Sequence, residues 1–522
     1  MIQTSLHPLD VLIIVLYLAM LAGVGVYFSR RQKNLDEYFL AKQSMAWLPV
    51  GLSLMAALDS AIDYLMQPSA TIKYGLWLLV GTSSWFFLYP WVSKVTLPFY
   101  RRLNYFTAYE YLEARFDVRV RGLAAMIFIV WRLGWMATAI YVPSLAISTA
   151  TGDRIPVTLL VLGLGVIVTL YTALGGIEAV IWNDVAQFCV RFGGLAAVVA
   201  IAAASVTGGF SNIWHIARAA GKTSAIAPAD FSSIRAFFYQ PLNVVAIMFS
   251  MVVGRMASYT SDQIMVQRLQ TTKSLKDARQ AFIVNAAGDA IWMFALSFVG
   301  LALFAFFQTR PLPPDFATDK ILPYFMSLTF PAGIVGLVIA SIMAASLSSV
   351  DSAINSCTSV LVIDIYNRMI RGKETLRAGQ TKDEAIAQGK ADVFLSRIAT
   401  LGFGALGTVL AMNVSKIGSL LEIANKLINA FAGPLFGIYI LAMFSRRATA
   451  LNALVAGVAG SLTSYYVAYM SPIGFMWPST MGFAATLAVG IVWSFVVPGR
   501  PDANALRLTW RSVMAEPEPT QV

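Results

Sequence analysis

Two aspartates interrupt an apolar stretch near the start of the chain, and their side chains are the first candidates for chemistry. Asp59 and Asp63 lie four residues apart within the hydrophobic run 46–67. A continuous helix would place both carboxylates on one face. A carboxylate at membrane depth costs several kcal/mol unless it is paired or faces a cavity. The pair therefore predicts a break in this helix and a polar site near the middle of a bilayer.

A second polar stretch lies within the later apolar run 330–366. Four serines and one acid fall between residues 346 and 352. One or two such serines are explained by hydrogen bonds to the preceding turn of their own helix, but this density is not. Ser348, Asp351 and Ser352 share a helical face. Hard oxygen ligands of this kind suit a small cation such as sodium, so the stretch predicts a cation site.

The acidic and basic residues within the apolar runs nearly balance in number, which predicts internal pairing. The bases are Arg132, Arg191, Arg255 and Lys426, and the acids are Asp59, Asp63, Asp184, Asp289 and Asp351. Asp184 and Arg191 are two helical turns apart on one face, so they are a candidate pair. Gly254 is a candidate for a second helix break, which would turn Arg255 toward the first break.

The elements that hold these residues are membrane spans. The chain is 58% hydrophobic and 12% charged over 522 residues, about half the charge of a soluble protein. Its apolar runs match the roughly 20 residues that a bilayer requires. We expect an all-α membrane protein with about thirteen transmembrane helices, near residues 9–28, 46–67, 76–96, 122–149, 156–173, 178–206, 236–258, 280–307, 330–366, 393–412, 417–443, 449–469 and 478–497.

Lysine and arginine in the loops set the expected orientation. Loops on one face are rich in basic residues, among them Arg121, Arg268 and the stretch 368–397. The positive-inside rule then places the N-terminus outside and the C-terminus in the cytoplasm of a plasma or inner membrane. The net charge of +11 reflects this topology, so nucleic-acid binding is not expected.

Several segments carry a resemblance to a known family. They are Tyr171–Gln187 with its Gly-Gly and Trp-x-Asp-x-x-Gln pattern, Asp262–Arg268, the polar stretch running on to Tyr366, Ala108–Glu113, and Ala432–Gly437 followed by Arg446-Arg447. Together they resemble, in order along residues 10–465, the sodium/solute symporters, which include sodium-coupled sugar, proline and sialic acid carriers. The spacing is most similar to that of the sialic acid branch.

The resemblance implies a leucine-transporter-type fold, in which two inverted repeats of five helices each begin with a broken helix and bind substrate between the breaks. It divides the chain into a leading segment, repeat one, an extracellular loop, repeat two, two trailing helices and a cytoplasmic tail. These are residues 1–45, 46–206, 207–235, 236–443, 444–497 and 498–522.

The resemblance also implies the ion ligands. Its shared sodium site corresponds here to Ala56, Asp59, Ala345, Ser348 and Ser349. A second sodium site found in some members corresponds to Asp184, Ser348, Asp351 and Ser352. Asp351 departs from the serine of the sialic acid branch, and it is an extra ligand, a proton carrier or a partner of Arg191.

The solute positions depart further. Hydroxyl positions of the sialic acid branch align with Leu58, Ser60 and Asp63, its arginine with Trp135, and its glutamine with Thr82. Carboxylates and an aromatic face suit a cation or amine. The expected solute-binding residues are Asp59, Ser60, Asp63, Thr82, Trp135 and Arg255.

We therefore expect a sodium-coupled symporter that functions as a monomer and imports a small polar solute with an amine or a positive charge. The alternatives are a proton-coupled carrier, a sodium symporter of an anionic or neutral solute such as a sialic acid, sugar or amino acid, and, more remotely, a membrane sensor of transporter fold. An enzyme is not expected, because the apolar runs contain no histidine and no metal motif.

Overall fold

The protein is helical throughout the residues that its computed structural model describes, which are 6–29, 44–103, 105, 107–174, 177–312, 316–372, 382–428, 430–497, 499 and 501–515. The first half contains α1 Pro8–Ser29, α2 Trp47–Leu58, α3 Ala61–Tyr74, α4 Ser84–Trp91, α5 Leu97–Leu103, α6 Ala108–Arg115, α7 Val118–Ala150, α8 Val157–Leu174, α9 Ile177–Ala204, α10 Gly209–Ala219 and α11 Ile234–Tyr239. The second half contains α12 Val244–Ser261, α13 Gln263–Gln270, α14 Leu275–Gln308, α15 Ile321–Thr329, α16 Ile334–Ser359, α17 Lys382–Ala411, α18 Leu420–Ile423, α19 Ala432–Phe444, α20 Ala450–Tyr469, α21 Pro478–Val496, α22 Ala503–Arg507 and α23 Trp510–Ala515. Short 3-10 or π-helical turns join some of them, at Gly75–Ser83, Val92–Thr96, Thr318–Lys320, Val360–Ile370, Val414–Lys416 and Ala424–Ile428.

The length and composition of these helices agree with a multi-pass membrane protein. Within the described residues, nine helices are long and apolar enough to cross a membrane, and a bent pair supplies a tenth span. Pro8–Leu21 and Val157–Ala173 are shorter apolar stretches. The all-α class is confirmed, whereas the number of thirteen spans stays a prediction.

The first helix break lies where the aspartates predicted it. Asp59 and Ser60 have extended backbones between α2 and α3, and the two parts of the span are bent by 59°. Ser60 caps α3 by accepting a hydrogen bond from the Ile62 amide, and Asp63 accepts one from the Ser60 amide at 2.8 Å. The two carboxylates therefore do not stack on one helical face, since Asp59 lies in the break and Asp63 closes the new helix.

The second break does not lie at Gly254. That glycine is inside α12, and the extended residue is Asp262, which separates α12 from α13. The Asp262 side chain accepts a hydrogen bond from the Ile264 amide and so caps α13. The same carboxylate forms a salt bridge with Arg132 of α7. The expectation at Gly254 was wrong because a capping aspartate, rather than a flexible glycine, ends the helix.

Helix α16 is the central element, since it packs against α7, α9 and α1. Small residues permit these close approaches. A β-carbon at Gly194 of α9 would lie 2.3 Å from that of Ser341. As a result, nearly every side chain of α16 is buried, and its serines face other helices of the bundle.

Candidate functional site

The end of α2 and the middle of α16 bring four oxygens together. Ser348 Oγ lies 3.0 Å from the Ala56 carbonyl and 3.3 Å from that of Ala345. Ser349 Oγ lies 3.4 Å and 3.2 Å from the same two oxygens. The Ala56 carbonyl is available because the break removes its partner, as the Ser60 amide is bonded to Asp63 instead. Two hydroxyls and two carbonyls in a buried site fit a small hard cation.

The fifth expected ligand, Asp59, lies in the break beside this group. Its carbonyl accepts a hydrogen bond from Arg191 Nη1 at 2.8 Å. Its side chain is 3% exposed, and one carboxylate oxygen has no hydrogen-bond partner among the described residues. Asp289, Asp63 and Arg191 are its charged neighbours. Four of the five predicted sodium ligands thus converge, whereas the Asp59 carbonyl is bonded to Arg191.

The predicted salt bridge between Asp184 and Arg191 is wrong, because Asp184 pairs with a different arginine. Arg268 makes the salt bridge to Asp184, at 3.2 Å. Arg268 also donates to Ser53 at 2.8 Å and to Ser352 at 2.5 Å. Loop composition placed Arg268 among the cytoplasmic charges, yet its side chain is fully buried. Its guanidinium joins α2, α9, α13 and α16.

Asp351 is the remaining member of the predicted second cation site. Its carboxylate contacts the Tyr171 hydroxyl and the Ser352 hydroxyl, both at 3.3 Å. It lies near Asp184 and Arg268, but the described part of the chain gives it no salt bridge within 4.0 Å. Asp184 keeps one carboxylate oxygen without a hydrogen bond. Two carboxylates and the Ser352 hydroxyl thus lie in one buried cluster, and oxygen ligands of this kind fit a small hard cation.

A cavity of about 140 Å³ opens at the first helix break. Five of the six expected solute residues line it, namely Asp59, Ser60, Asp63, Trp135 and Arg255. Thr82 does not line it, so this assignment is not supported by the geometry. Asp289, which the sequence suggested only as one charge among several, also lines the cavity.

Arg255 and Asp289 form a fixed pair on the cavity wall. Arg255 Nη2 lies 2.7 Å from Asp289 Oδ2, and Trp85 Nε1 donates to the same oxygen at 2.5 Å. The guanidinium lies 4.3 Å from the Trp85 ring and donates to Ser84 at 2.8 Å. A guanidinium has five N–H donors, and these contacts leave some of them for a bound molecule. The wall can therefore bind an anionic group on Arg255 and donor groups on Asp59 and Asp63.

Comparison with known proteins identifies the family of proteins to which this chain belongs. The model of the sodium:solute symporter family matches residues 38–460, which is most of the chain. The chain belongs to that family. A sodium/sialic acid symporter of Proteus mirabilis is 31% identical over 91% of this chain and 92% of its own length. One of Aliivibrio fischeri is 31% identical over 93% of both chains.

A further relative, the sodium-dependent multivitamin transporter of Oryctolagus cuniculus, is 30% identical over 89% of this chain and 71% of its own length. Among solved structures, a substrate-bound, outward-open Na⁺-coupled sialic acid symporter matches with a TM-score of 0.83 at 28% identity, over 95% of this chain and all of that one. These likenesses confirm the leucine-transporter-type fold, and the protein is a sodium-coupled symporter of the membrane. They do not support a cationic solute.

Sequence reasoning did not place Arg268, Asp289 or Trp85 in the site. Arg268 was assigned to a loop because it follows the apolar run 236–258 by ten residues. Asp289 was recognised as a charge within a span, but its neighbours Arg255 and Trp85 are distant in the chain. The near balance of acids and bases within the apolar runs was a useful signal for the pair of Arg255 and Asp289. It did not indicate the other two pairs, because Asp262 and Arg268 lie outside the predicted spans.

Proposed function

We propose that this symporter uses sodium to import a small polar solute that carries a carboxylate, of the sialic acid kind. The observation that carries the proposal is the position of Arg255. Among the described residues that line the cavity beside the helix break, it is the basic one. A sialic acid symporter and a monocarboxylate transporter are both relatives. Arg255 would take over the role that an arginine at position 135 has in the sialic acid branch.

The rest of the solute would lie against hydrogen-bond acceptors of the cavity wall. Asp59 has a bare carboxylate oxygen, and Asp63 lies next to it in the same cavity wall. Buried acceptors of this kind are costly when unpaired. Hydroxyl, amide or ammonium groups of the solute would satisfy them, while Trp135 supplies an apolar wall.

The first sodium would bind to the Ala56, Asp59 and Ala345 carbonyls and the Ser348 and Ser349 hydroxyls. Asp59 belongs both to this site and to the cavity, so each occupant would favour binding of the other. A second cation would bind between Asp184 and Asp351, using Ser348 and Ser352. Arg268 occupies one side of that site and would share its ligands with the ion.

The two broken helices support the assignment of residues 46–206 and 236–443 as the two inverted repeats. The basic loops support an extracellular N-terminus. In this arrangement both breaks lie near the middle of the bilayer. The cavity would then open alternately to the two sides of the membrane.

An amino acid is the second candidate solute. Three carboxylates in this region, Asp59, Asp63 and Asp289, face two guanidinium groups, Arg191 and Arg255. One bound sodium would balance the remaining negative charge. A zwitterion would keep that balance, with its carboxylate on Arg255 and its ammonium group on Asp59.

A binding screen tests the proposal. Purified protein would be heated with a sialic acid, monocarboxylates, amino acids, neutral sugars or amines, each with sodium and with potassium. We expect a carboxylate solute to raise the melting temperature only in sodium. Stabilisation by amines without a carboxylate, and by no acid, would contradict the proposal.

Variants of the cavity then assign the solute groups. Arg255→Gln should weaken binding of the carboxylate solute by about 2–4 kcal/mol. The double variant Arg255→Gln with Asp289→Asn removes both members of the pair and controls for the unpaired acid. Asp63→Asn should cost a hydroxylated solute much less than a zwitterion, because an amide still accepts a hydrogen bond. Arg279→Gln, which removes a donor to the Ser93 carbonyl outside the cavity, should leave affinity unchanged.

A further inference from the structure

The leading helix α1 contacts the helix that carries the sodium-binding serines through one buried carboxylate. Asp10 is 2% exposed, and its Oδ1 accepts hydrogen bonds from the Gly333 amide at 2.7 Å and the Gly336 amide at 2.8 Å. Gly333 directly precedes α16 and Gly336 lies in its first turn, where helix N–H groups lack partners. Gly333 offers no side chain to cap that end. Asp10 therefore caps α16 from a position 323 residues earlier in the chain.

The contact is close and has a fixed register. A β-carbon at Gly336 would lie 2.4 Å from Asp10 Cα and 2.6 Å from its carbonyl oxygen. Asp10 Oδ2 also accepts a hydrogen bond from the His7 amide at 3.0 Å, so both carboxylate oxygens are used. Because a negative charge at a helix N-terminus is favourable, this contact stabilises α1 in one place along α16.

Two turns further along α1, the same face reaches the cation cluster. Tyr17 is seven residues after Asp10 and is 5% exposed. Its hydroxyl accepts a hydrogen bond from Gln187 Nε2 at 3.3 Å. Asp351 and Asp184 are among the charged groups whose field reaches this hydroxyl. Gln187 follows Asp184 by three residues, so α9 presents both to this side of the cluster.

We propose that α1 is a positioning element for cation binding: Asp10 sets its register against α16, and Tyr17 closes the Asp184–Asp351 cluster. The inference rests on the second cation site proposed above. The five-plus-five repeats do not include α1, so this helix would add a function to the core. Neither Asp10 nor Tyr17 touches the solute cavity, so their effect should be on the ion and not on the solute.

Sodium titration of purified variants tests this role. The readout is the sodium concentration at half of the sodium-induced rise in melting temperature, measured beside the melting temperature in potassium. Asp10→Ala and Tyr17→Phe should raise that sodium concentration by about tenfold, as loss of a residue that orients metal ligands does. Solute affinity at saturating sodium should stay at the wild-type value.

Asp117→Ala is the matched control. Asp117 caps α7 through the Arg119 and Val120 amides, distant from the cluster in sequence and on the partly exposed surface. It should lower the melting temperature without moving the sodium midpoint. If Asp10→Ala does not fold, Asp10→Asn, which keeps one acceptor oxygen, and Tyr17→Phe decide the question.

The outcomes separate the two proposals. Wild-type sodium midpoints in both Tyr17→Phe and the folded Asp10 variant would overturn the role of α1 alone. A wild-type protein with no sodium-dependent rise in melting temperature would instead contradict the proposed sodium sites.

Discussion

Arg268 is a side chain that joins four helices of the site. It is fully buried, and it bonds to Ser53 of α2, Asp184 of α9 and Ser352 of α16. A guanidinium can make these contacts at once because its donors have a fixed planar arrangement. A lysine ammonium is a compact charge and cannot span them.

Replacing Arg268 should therefore destabilise the protein strongly. Arg268→Met leaves the Asp184 carboxylate buried without its partner, at a cost of about 3–5 kcal/mol. Arg268→Lys should fall between that variant and the wild type. Unfolding of the detergent-solubilised protein by heat or denaturant measures the difference.

Two controls make that prediction sharp. Arg279→Lys changes an arginine that donates to the Ser93 backbone carbonyl, and it should have a small effect. The double variant Arg268→Met with Asp184→Asn should recover part of the loss, because it removes both charges. Wild-type stability of Arg268→Met would show that the salt bridge does not hold the cluster together.

At the scale of elements, the two breaks are built differently. The second break exposes the carbonyls of Thr260 and Ser261 at the end of α12. The Tyr100 hydroxyl donates to the first and the Tyr109 hydroxyl to the second, the latter at 3.1 Å. Helices α5 and α6 thus satisfy the backbone groups that the break leaves unpaired.

This difference explains how far the break positions could be predicted from the sequence. Asp59 and Asp63 interrupt an apolar run and need a polar site, so the first break was predictable. The second break follows an unbroken apolar run, and Asp262 is recognisable as a cap only once its partner Arg132 is placed. Gly254 was misleading, since a β-carbon there would meet nothing within 4 Å. A glycine without a crowded neighbour or a positive φ does not indicate a break.

A charged network joins three elements on the face where the basic loops lie. Glu113 of α6 accepts hydrogen bonds from Arg121 of α7 at 2.8 Å and from Arg368, in the π-helical continuation of α16, at 2.6 Å. Arg121 also pairs with Asp364 at 2.6 Å. Burial alone would raise the pKa of Glu113, but the hydrogen bonds from Arg368 and Arg121 outweigh it and hold that pKa below its ordinary value of 4.5.

Glu113→Gln should weaken this network in a pH-dependent way. A lowered pKa in the folded state means that the stabilisation is complete above the ordinary pKa and is lost as the pH falls through the lowered one. At neutral pH the variant should be less stable by about 1 kcal/mol, since the pair is partly exposed. Melting temperatures from pH 7 down to pH 3.5 should converge with those of the wild type. A difference that stays constant over this range would rule out the charge as its cause.

At the scale of the whole molecule, the distribution of charged residues along the chain was easier to predict than the salt bridges that they form. Composition and apolar run lengths indicated a multi-pass helical protein, and the motif order indicated the family. The residue types of the ion site followed from the same motifs. The partners of Asp184, Asp262 and Asp289 did not, because each comes from another helix and depends on how the helices pack. The identity of the solute is the least predictable from the sequence, since Trp135 and Asp63 replace residues that would indicate it.

The central claim is that sodium binds where the broken helix α2–α3 meets α16 and thereby permits solute binding. Loss of one ligand hydroxyl costs about 1–2 kcal/mol, or about tenfold in sodium affinity. Ser348→Ala and Ser349→Ala should each shift the sodium midpoint by that factor, and Ser346→Ala, whose hydroxyl bonds the Ala139 carbonyl instead, should not.

The measurement that tests this claim most directly is the sodium dependence of the melting temperature in these three serine variants. We expect a midpoint about ten times higher in Ser348→Ala and Ser349→Ala than in the wild type and Ser346→Ala. Unchanged midpoints in both ligand variants, with the wild type still responding to sodium, would place the ion elsewhere and contradict the account.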